Sequence, residues 1–439
     1  MRIATALLTT ILAACSGGTS ETKEIVIGQY GSLTGSDATF GLSTKNGIEM
    51  ATEEQNAAGG IGGFPIRMVI EDDRSTPEEA ATAVDKILSR DRPVALLGEV
   101  ASSASLAAAP LAQAAGVPMI SPSSTNPKVT EKGDYIFRVC FIDPFQGTAA
   151  AQFAYNSKGV RTVAILKDVQ SDYSVGLAQY FTETFTSLGG TIIAEEAYQK
   201  TDSDYKAQLT TIASKAPDAL FIPGYYTQTG LIAQQARDAG YKGILLGGDG
   251  WDSDKLVEIG RDAIIGGFYT NHYSVDDPSP VVQDFIKKYE AKYNAKPDGL
   301  AALGYDSAKI LYQSMTEVAK NPEHAAAFAD RSSVPATEGA RKAARAALRD
   351  QLAQVKGFPG VTGTITIDEK RNAEKPAVVV EVTKDGPRFV ESISPGGAAP
   401  APAVPATEGA APAAPADATA PAAAGSAAAP AEAVPAAAK

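Results

Sequence analysis

Ser102, Ser103 and Ser105 follow the apolar run Val94-Ala95-Leu96-Leu97 and open a helix-like stretch. Ser123, Ser124, Thr125 and Asn126 follow Pro118-Met119-Ile120 in the same way. Hydroxyls beside free backbone N–H groups at a helix start favour an anion such as a carboxylate. Further along, Tyr173, Tyr225 and Asp249 (within Gly248-Asp249-Gly250-Trp251-Asp252) also stand just after apolar runs. An acid among aromatic rings suits an ammonium, through charge and cation–π contact. A zwitterion would satisfy both sets. Each residue alone has a plainer role open to it: Ser102 as a helix N-cap, Asp249 as a turn acid, the tyrosines as half-buried aromatics. Their shared position at strand ends is what joins them.

The chain carries little that could do covalent chemistry. It has no G-x-G-x-x-G after a strand, no phosphate-binding loop, no G-x-S-x-G elbow and no H-E-x-x-H. The two histidines, His272 and His324, are far apart. A Ser-His-Asp arrangement would depend on His272, which in Asn271-His272-Tyr273 reads as a structural histidine at a crossing between lobes. Asp72-Asp73 reads as a strand-end turn rather than a metal site. No enzyme, metal or cofactor is expected. Net charge is −12, which argues against nucleic acid, a ligand bound through an excess of lysine and arginine.

The elements that must position these residues come in two series. Ile25-Val26-Ile27, Met68-Val69-Ile70, Val94–Leu97 and Pro118–Ile120 read as buried strands, with helices between them such as Thr44–Ala57 and Pro77–Ser89. The rhythm restarts with Thr162–Leu166, Thr191–Ala194, Ala219–Ile222 and Ile244–Leu246. Between the first two of these, Val175, Ala178, Phe181, Phe185 and Leu188 form one helix face that stops at Gly189-Gly190. The fold class is therefore α/β, two Rossmann-like lobes with parallel central sheets, with a seam near Phe141–Gly147. A helix carrying Val282, Phe285, Ile286, Tyr289 and Tyr293 leads into Tyr305–Lys320 and is expected to return to the first lobe. A hairpin of Gly363–Ile367 with Val378–Val382 is expected to close the second, and Pro322–Ala343 reads as a surface insertion. The lobes then comprise 24–143 with 274–357 and 144–273 with 358–393, and several crossings between them make a hinge.

The ends of the chain differ from its middle. Residues 1–14 read as a signal peptide: Arg2, a short apolar stretch, then small residues. Leu12-Ala13-Ala14-Cys15 looks like a bacterial lipobox, with Cys15 diacylated and 15–23 as tether; the alternative is a chance cysteine in an ordinary signal peptide. Cys140, left alone, is expected to be a buried small hydrophobe. The segment 394–439 is almost wholly alanine, proline and small residues, a composition unable to order itself. Val334–Ala340 recurs there at Val404–Ala410, a repeat for which the sequence offers no physical account.

Several of these segments carry a family resemblance. Gly28-Gln29-Tyr30-Gly31-Ser32-Leu33-Thr34-Gly35, Asn56–Gly63, Glu71-Asp72-Asp73 and Gly248–Ser253 resemble the periplasmic leucine/isoleucine/valine-binding proteins of ABC importers. Asp143–Gly147 and Gly360–Gly363 fit the same family, and the resemblance spans roughly 23–390. It implies a type I periplasmic binding fold that captures a free amino acid by hinge closure. Its partners would be ABC permease and ATPase subunits, with the membrane held only through the lipid on Cys15. A module sensing an amino acid or amide, and reporting to a receptor or regulator, would look the same. The resemblance also implies that Ser102 and Thr125 hold the ligand carboxylate. Ser123 would offer its backbone carbonyl to the ammonium, with Ser124 beside it. Asp249 would pair with that ammonium, supported by Tyr225, while Tyr173 and Phe40 lie over the side chain. Family members often carry alanine where Ser123 and Ser124 stand and, in several, Glu where Asp249 stands. The cysteines of a disulfide found in some members are absent near Ser75 and Ala101. These departures put a strictly aliphatic specificity in doubt.

Overall fold

The first strand, β1 (Ile25–Gly31), is buried along its whole length, as its β-branched start requires of a strand covered on both faces. In the computed structural model, which describes residues 23–332 and 334–395, it lies inside a five-stranded parallel sheet. Its neighbours are β2 (Ile66–Asp72), β3 (Ala95–Leu97), β4 (Met119–Ser121) and β5 (Ile136–Arg138), in the order β2-β1-β3-β4-β5. Strand order therefore reverses between β1 and β3, where chain leaves in opposite directions and a crevice opens at the carboxyl ends. Thr76 caps the helix Pro77–Lys86 by accepting from Glu79 N (3.3 Å), with Glu78 and Glu79 in its first turn.

The second sheet repeats the device. β6 (Thr162–Asp168), β7 (Thr191–Tyr198), β8 (Ala219–Ile222), β9 (Ile244–Gly247) and β10 (Phe268–Asn271) run parallel, with reversal between β6 and β8. A small antiparallel sheet of β11 (Phe358–Gly360), β12 (Gly363–Ile367) and β13 (Ala373–Glu374) stands between the two. β14 (Ala377–Thr383) then pairs antiparallel with β10, and β15 (Gly386–Ile393) with β14. The chain passes between the large sheets at 139–142, at 272–279 and through the small sheet, which together form the hinge.

Four expectations need correction. The closing hairpin is β14–β15; Gly363–Ile367 instead pairs with β11 and β13. β5 and β10 complete the sheets but were not foreseen as strands. β5 ends in the fully buried Arg138, which interrupts its apolar pattern. On the helix Asp172–Ser187, Leu177 takes the inward place expected of Val175, which is exposed. Finally, Pro322–Ala343 is no loose insertion. It contributes the helices Pro322–Ala329 and Pro335–Leu352, which bury Ala325, Phe328, Ala344 and Leu348. Pro335 stands in the first helical turn, where a missing N–H costs nothing, so it begins a helix rather than breaking one. The first heptapeptide copy is thus a helix start. Its second copy, the signal segment, Cys15, nearly all the tether and nearly all the Ala/Pro-rich tail lie outside the described residues.

The helix Gly299–Val318 returns to the first lobe by packing backbone to backbone on Ala38–Ala57. A Cβ at Gly47 would lie 2.0 Å from Ala301 O, and one at Gly304 would lie 2.4 Å from Thr44 O. Thr52 and Tyr312 share a buried hydroxyl hydrogen bond of 2.6 Å at the same crossing. Because backbone cannot yield as a flexible side chain does, Gly47→Ala is expected to destabilise the protein by about 1–3 kcal/mol in urea unfolding.

Candidate functional site

The first lobe contributes the helix Ser102–Ala115 and the loop after β4. Ser102 is the first helical residue, not the cap: the N-cap is Ala101, which has no side chain to do the work. The Ser102 hydroxyl oxygen accepts from Asn126 N (3.2 Å), which leaves its proton to donate elsewhere. Ser123 Oγ and Thr125 Oγ1 are buried and have no partner among the described residues. Ser124 is turned away from them, its hydroxyl near the Glu99 and Val100 carbonyls (3.0 Å each) and Ser105 Oγ (2.8 Å). The loop is fixed by Arg138, whose guanidinium donates to the carbonyls of Ser124 and Asn126 (2.8 Å for the latter). Two buried acids adjoin this surface. Burial, aided by the charge of Asp73, pushes the Glu99 carboxyl well up, and burial pushes Asp143 up to about 8.

The second lobe contributes Asp249, directly beyond β9. Its Oδ1 accepts from Gln146 Nε2 (2.8 Å) and from the Tyr173 hydroxyl (2.9 Å). Its Oδ2 lies 3.0 Å from His272 Nε2. Burial lowers His272 to about 4, so the ring is neutral at pH 7 and donates from Nε2. The imidazole is stacked on Phe141 with 3.7 Å between ring centroids. Tyr173 OH also accepts from Gly250 N (3.1 Å), and its ring stacks on Tyr225 at 5.3 Å. Phe40 reaches over from the first lobe to meet Tyr225 edge-on at 5.5 Å.

These groups share one narrow cleft, lined by Phe40, Ser102, Ser123, Thr125, Tyr173, Tyr225 and Asp249 together with Val100, Gly250 and Leu300. Seven of the eight expected ligand-facing residues thus converge, and Ser124 alone does not line it. Hydroxyls and a helix start face one way, a carboxylate and stacked phenols the other. Around the rim the lobes touch. Ser103 Oγ donates to Asp172 Oδ2 (2.9 Å), Asn126 Nδ2 to Asp172 O (2.8 Å), and Lys200 Nζ to Asp37 Oδ2 (2.7 Å). Among the described residues, no group of three or more His, Cys, Asp or Glu is placed to hold a metal ion.

A family model described as periplasmic binding protein matches residues 24–387, most of the chain. The chain belongs to the periplasmic binding proteins. Curated relatives include the Leu/Ile/Val-binding protein BraC3 of Rhizobium johnstonii, 31% identical over 60% of this chain and 72% of that protein. A leucine-, isoleucine-, valine-, threonine- and alanine-binding protein of Pseudomonas aeruginosa is 30% identical over 69% of this chain and 78% of its own length. Among solved structures, a leucine-binding protein of Thermotoga maritima superposes with a TM-score of 0.76 at 37% identity, covering 84% of this chain and 99% of that one. The branched-chain amino acid transporter substrate-binding protein of Streptococcus pneumoniae, in complex with isoleucine, gives 0.75 at 31%, covering 85% and 100%. The α/β type I periplasmic binding fold, with one parallel and one mixed sheet, is therefore this protein's fold.

Within this periplasmic binding protein, sequence reasoning missed the residues that hold Asp249. Gln146 lay inside a segment noted only for its family pattern. His272 was read as structural; it is buried, and it also anchors the cleft acid. Val100 and Leu300, the apolar lining, carried no signal beyond their position after β3 and at a helix start. Cys140 is fully buried, its Sγ 3.4 Å from Ser124 O, and burial pushes the thiol up to about 12. His272 gives a stability test. Its folded value of about 4 lies below the unfolded 6.5, so the unfolded chain takes up the proton first as pH falls between them. Wild type should lose stability relative to His272→Gln from pH 6.5 down to pH 4, by on the order of 3 kcal/mol, in urea titrations at each pH.

Proposed function

We propose that this protein captures a free α-amino acid outside the cytoplasm and delivers it to an ABC importer. The observation that carries the reading is the polarity of the cleft. Partnerless hydroxyls at Ser123 and Thr125 and the start of Ser102–Ala115 lie on one side, and Asp249 lies on the other. The ligand carboxylate would take the donors of Ser102 and Thr125, where a helix start adds favourable charge. The ammonium would pair with Asp249 and the Ser123 carbonyl, beside the faces of Tyr173 and Tyr225. Phe40, Val100 and Leu300 would enclose the side chain. The relatives' names support an amino acid as the class of ligand.

In this reading the lobes are 24–143 with 274–357 and 144–273 with 358–393, and the rim contacts form as they close. Cys15 carries the lipid that tethers the protein near its permease and ATPase partners, and the protein performs no catalysis. No helix among the described residues is long and apolar enough to cross a membrane.

A panel of free amino acids, scored by thermal shift on the full-length protein, tests the reading. A ligand that binds only the native state raises its melting temperature, by about 2.7 kcal/mol of added stability at a hundredfold excess over Kd. At least one amino acid should do so, and a flat panel would refute the assignment. Asp249→Asn keeps an acceptor for the neighbouring donors but removes the charge. It should weaken binding about a hundredfold, and retained affinity would exclude Asp249 as the ammonium's partner.

A further inference from the structure

We infer that the cleft selects an amino acid bearing a side-chain hydroxyl, of the threonine type, and that Ser123 is the residue that reads it. The inference rests on the amino-acid reading above and narrows it. The hydroxyls around this loop divide into two groups. Ser124, Ser121 and Ser102 are already engaged within the protein: Ser124 with Ser105, Ser121 with the Glu99 carbonyl (2.7 Å), and Ser102 with the Asn126 N–H. Ser123 and Thr125 have no hydrogen-bond partner among the described residues, although both are buried and both line the cleft. Thr125 is accounted for by the ligand carboxylate. Ser123 Oγ is left over.

A buried hydroxyl without a partner is unfavourable, and a purely aliphatic ligand would seal it in that condition. A ligand hydroxyl both donates and accepts, so it can pair with Ser123 in either sense. An ionic side chain is a poorer match, because among the described residues Asp249 is the only charged one that lines the cleft, and the ammonium uses it. Val100 and Leu300 would meet the methyl group of such a ligand. A site built to hydrogen-bond a ligand hydroxyl discriminates more strongly than one that only measures a methylene.

Threonine and valine have nearly the same shape and differ by hydroxyl against methyl, so calorimetric titration of the full-length protein with each is the test. Wild type should bind threonine about tenfold more tightly than valine, or better. Ser123→Ala should bring the ratio to unity or below, chiefly by weakening threonine. Its unliganded melting temperature should not change, since the hydroxyl has no protein partner to lose. Valine binding as tightly as threonine to wild type would overturn the inference and leave the amino-acid reading standing. Equal weakening of both ligands by Ser123→Ala would put the hydroxyl on the ammonium and also overturn it. If no amino acid binds at all, the underlying reading fails, and the inference with it.

Discussion

A buried carboxylate sets the terms for the second lobe, because on the proposed reading it must stay available to a cation. Asp249 is oriented by Gln146, Tyr173 and His272, all of them neutral donors. A lysine or arginine in any of these places would orient the acid equally well but would cancel the charge an ammonium needs. Neutral donors avoid that conflict: they satisfy the oxygens, hold the rotamer and leave the negative charge unspent. The condition on His272 is strict, because a protonated imidazole would itself be the cation. Full burial against Phe141 keeps it neutral at the pH where the protein works. The first lobe meets the mirror-image demand. Glu99 and Asp143 adjoin the surface that would face the carboxylate on the proposed reading, and burial pushes both carboxyls up, Asp143 to about 8.

The fold delivers these two surfaces by one rule applied twice. In each sheet the strand order reverses once, between β1 and β3 and between β6 and β8, and the crevice forms at the carboxyl ends there. Phe40 and Ser102 come from the first reversal; Tyr173 and Tyr225 come from the second. Asp249 follows β9, the next strand along. 139–142, 272–279 and the small sheet all link the lobes, so the two crevices are tied together by three chain passages. The hinge is also where the anchors of Asp249 originate, Gln146 just after the first crossing and His272 at the start of the second.

This arrangement explains what could be read from the sequence. Eight of the parallel strands announce themselves as short apolar runs, and the residues just beyond them are the ones that meet in the cleft. What stayed hidden is long-range. Gln146 is 103 residues from Asp249, and nothing local marks it as that acid's donor. β5 was obscured by Arg138, a charge tolerated inside because carbonyls of the Ser123–Thr125 loop and its continuation accept hydrogen bonds from its guanidinium. The hairpin partner was misjudged because Gly363–Ile367 and Gly386–Ile393 are both plausible strands, and pairing is decided by which lies next to β10. In Pro322–Ala343, alanine supplies so little apolar contrast that a packed helical face resembles an irregular surface.

Closure is the step that turns these surfaces into a binding event, and the contacts that hold it are modest. The rim bonds at Ser103–Asp172, Asn126–Asp172 and Lys200–Asp37 are joined by Thr39–Ser253 (3.0 Å), Thr227–Ser36 (2.8 Å) and Lys200–Ser75 (2.8 Å), each contributing about 0.5–1.5 kcal/mol net and more where a charge takes part. Against them stands the cost of sealing Ser123 and Thr125 away from water without partners. On the proposed reading a zwitterion would change the balance at both ends at once, its carboxylate satisfying one lobe and its ammonium the other. A ligand shifts such an equilibrium only by its differential affinity for the two states. One that reaches both lobes has that difference by construction, whereas a group recognised by a single lobe would bind the open form almost as well.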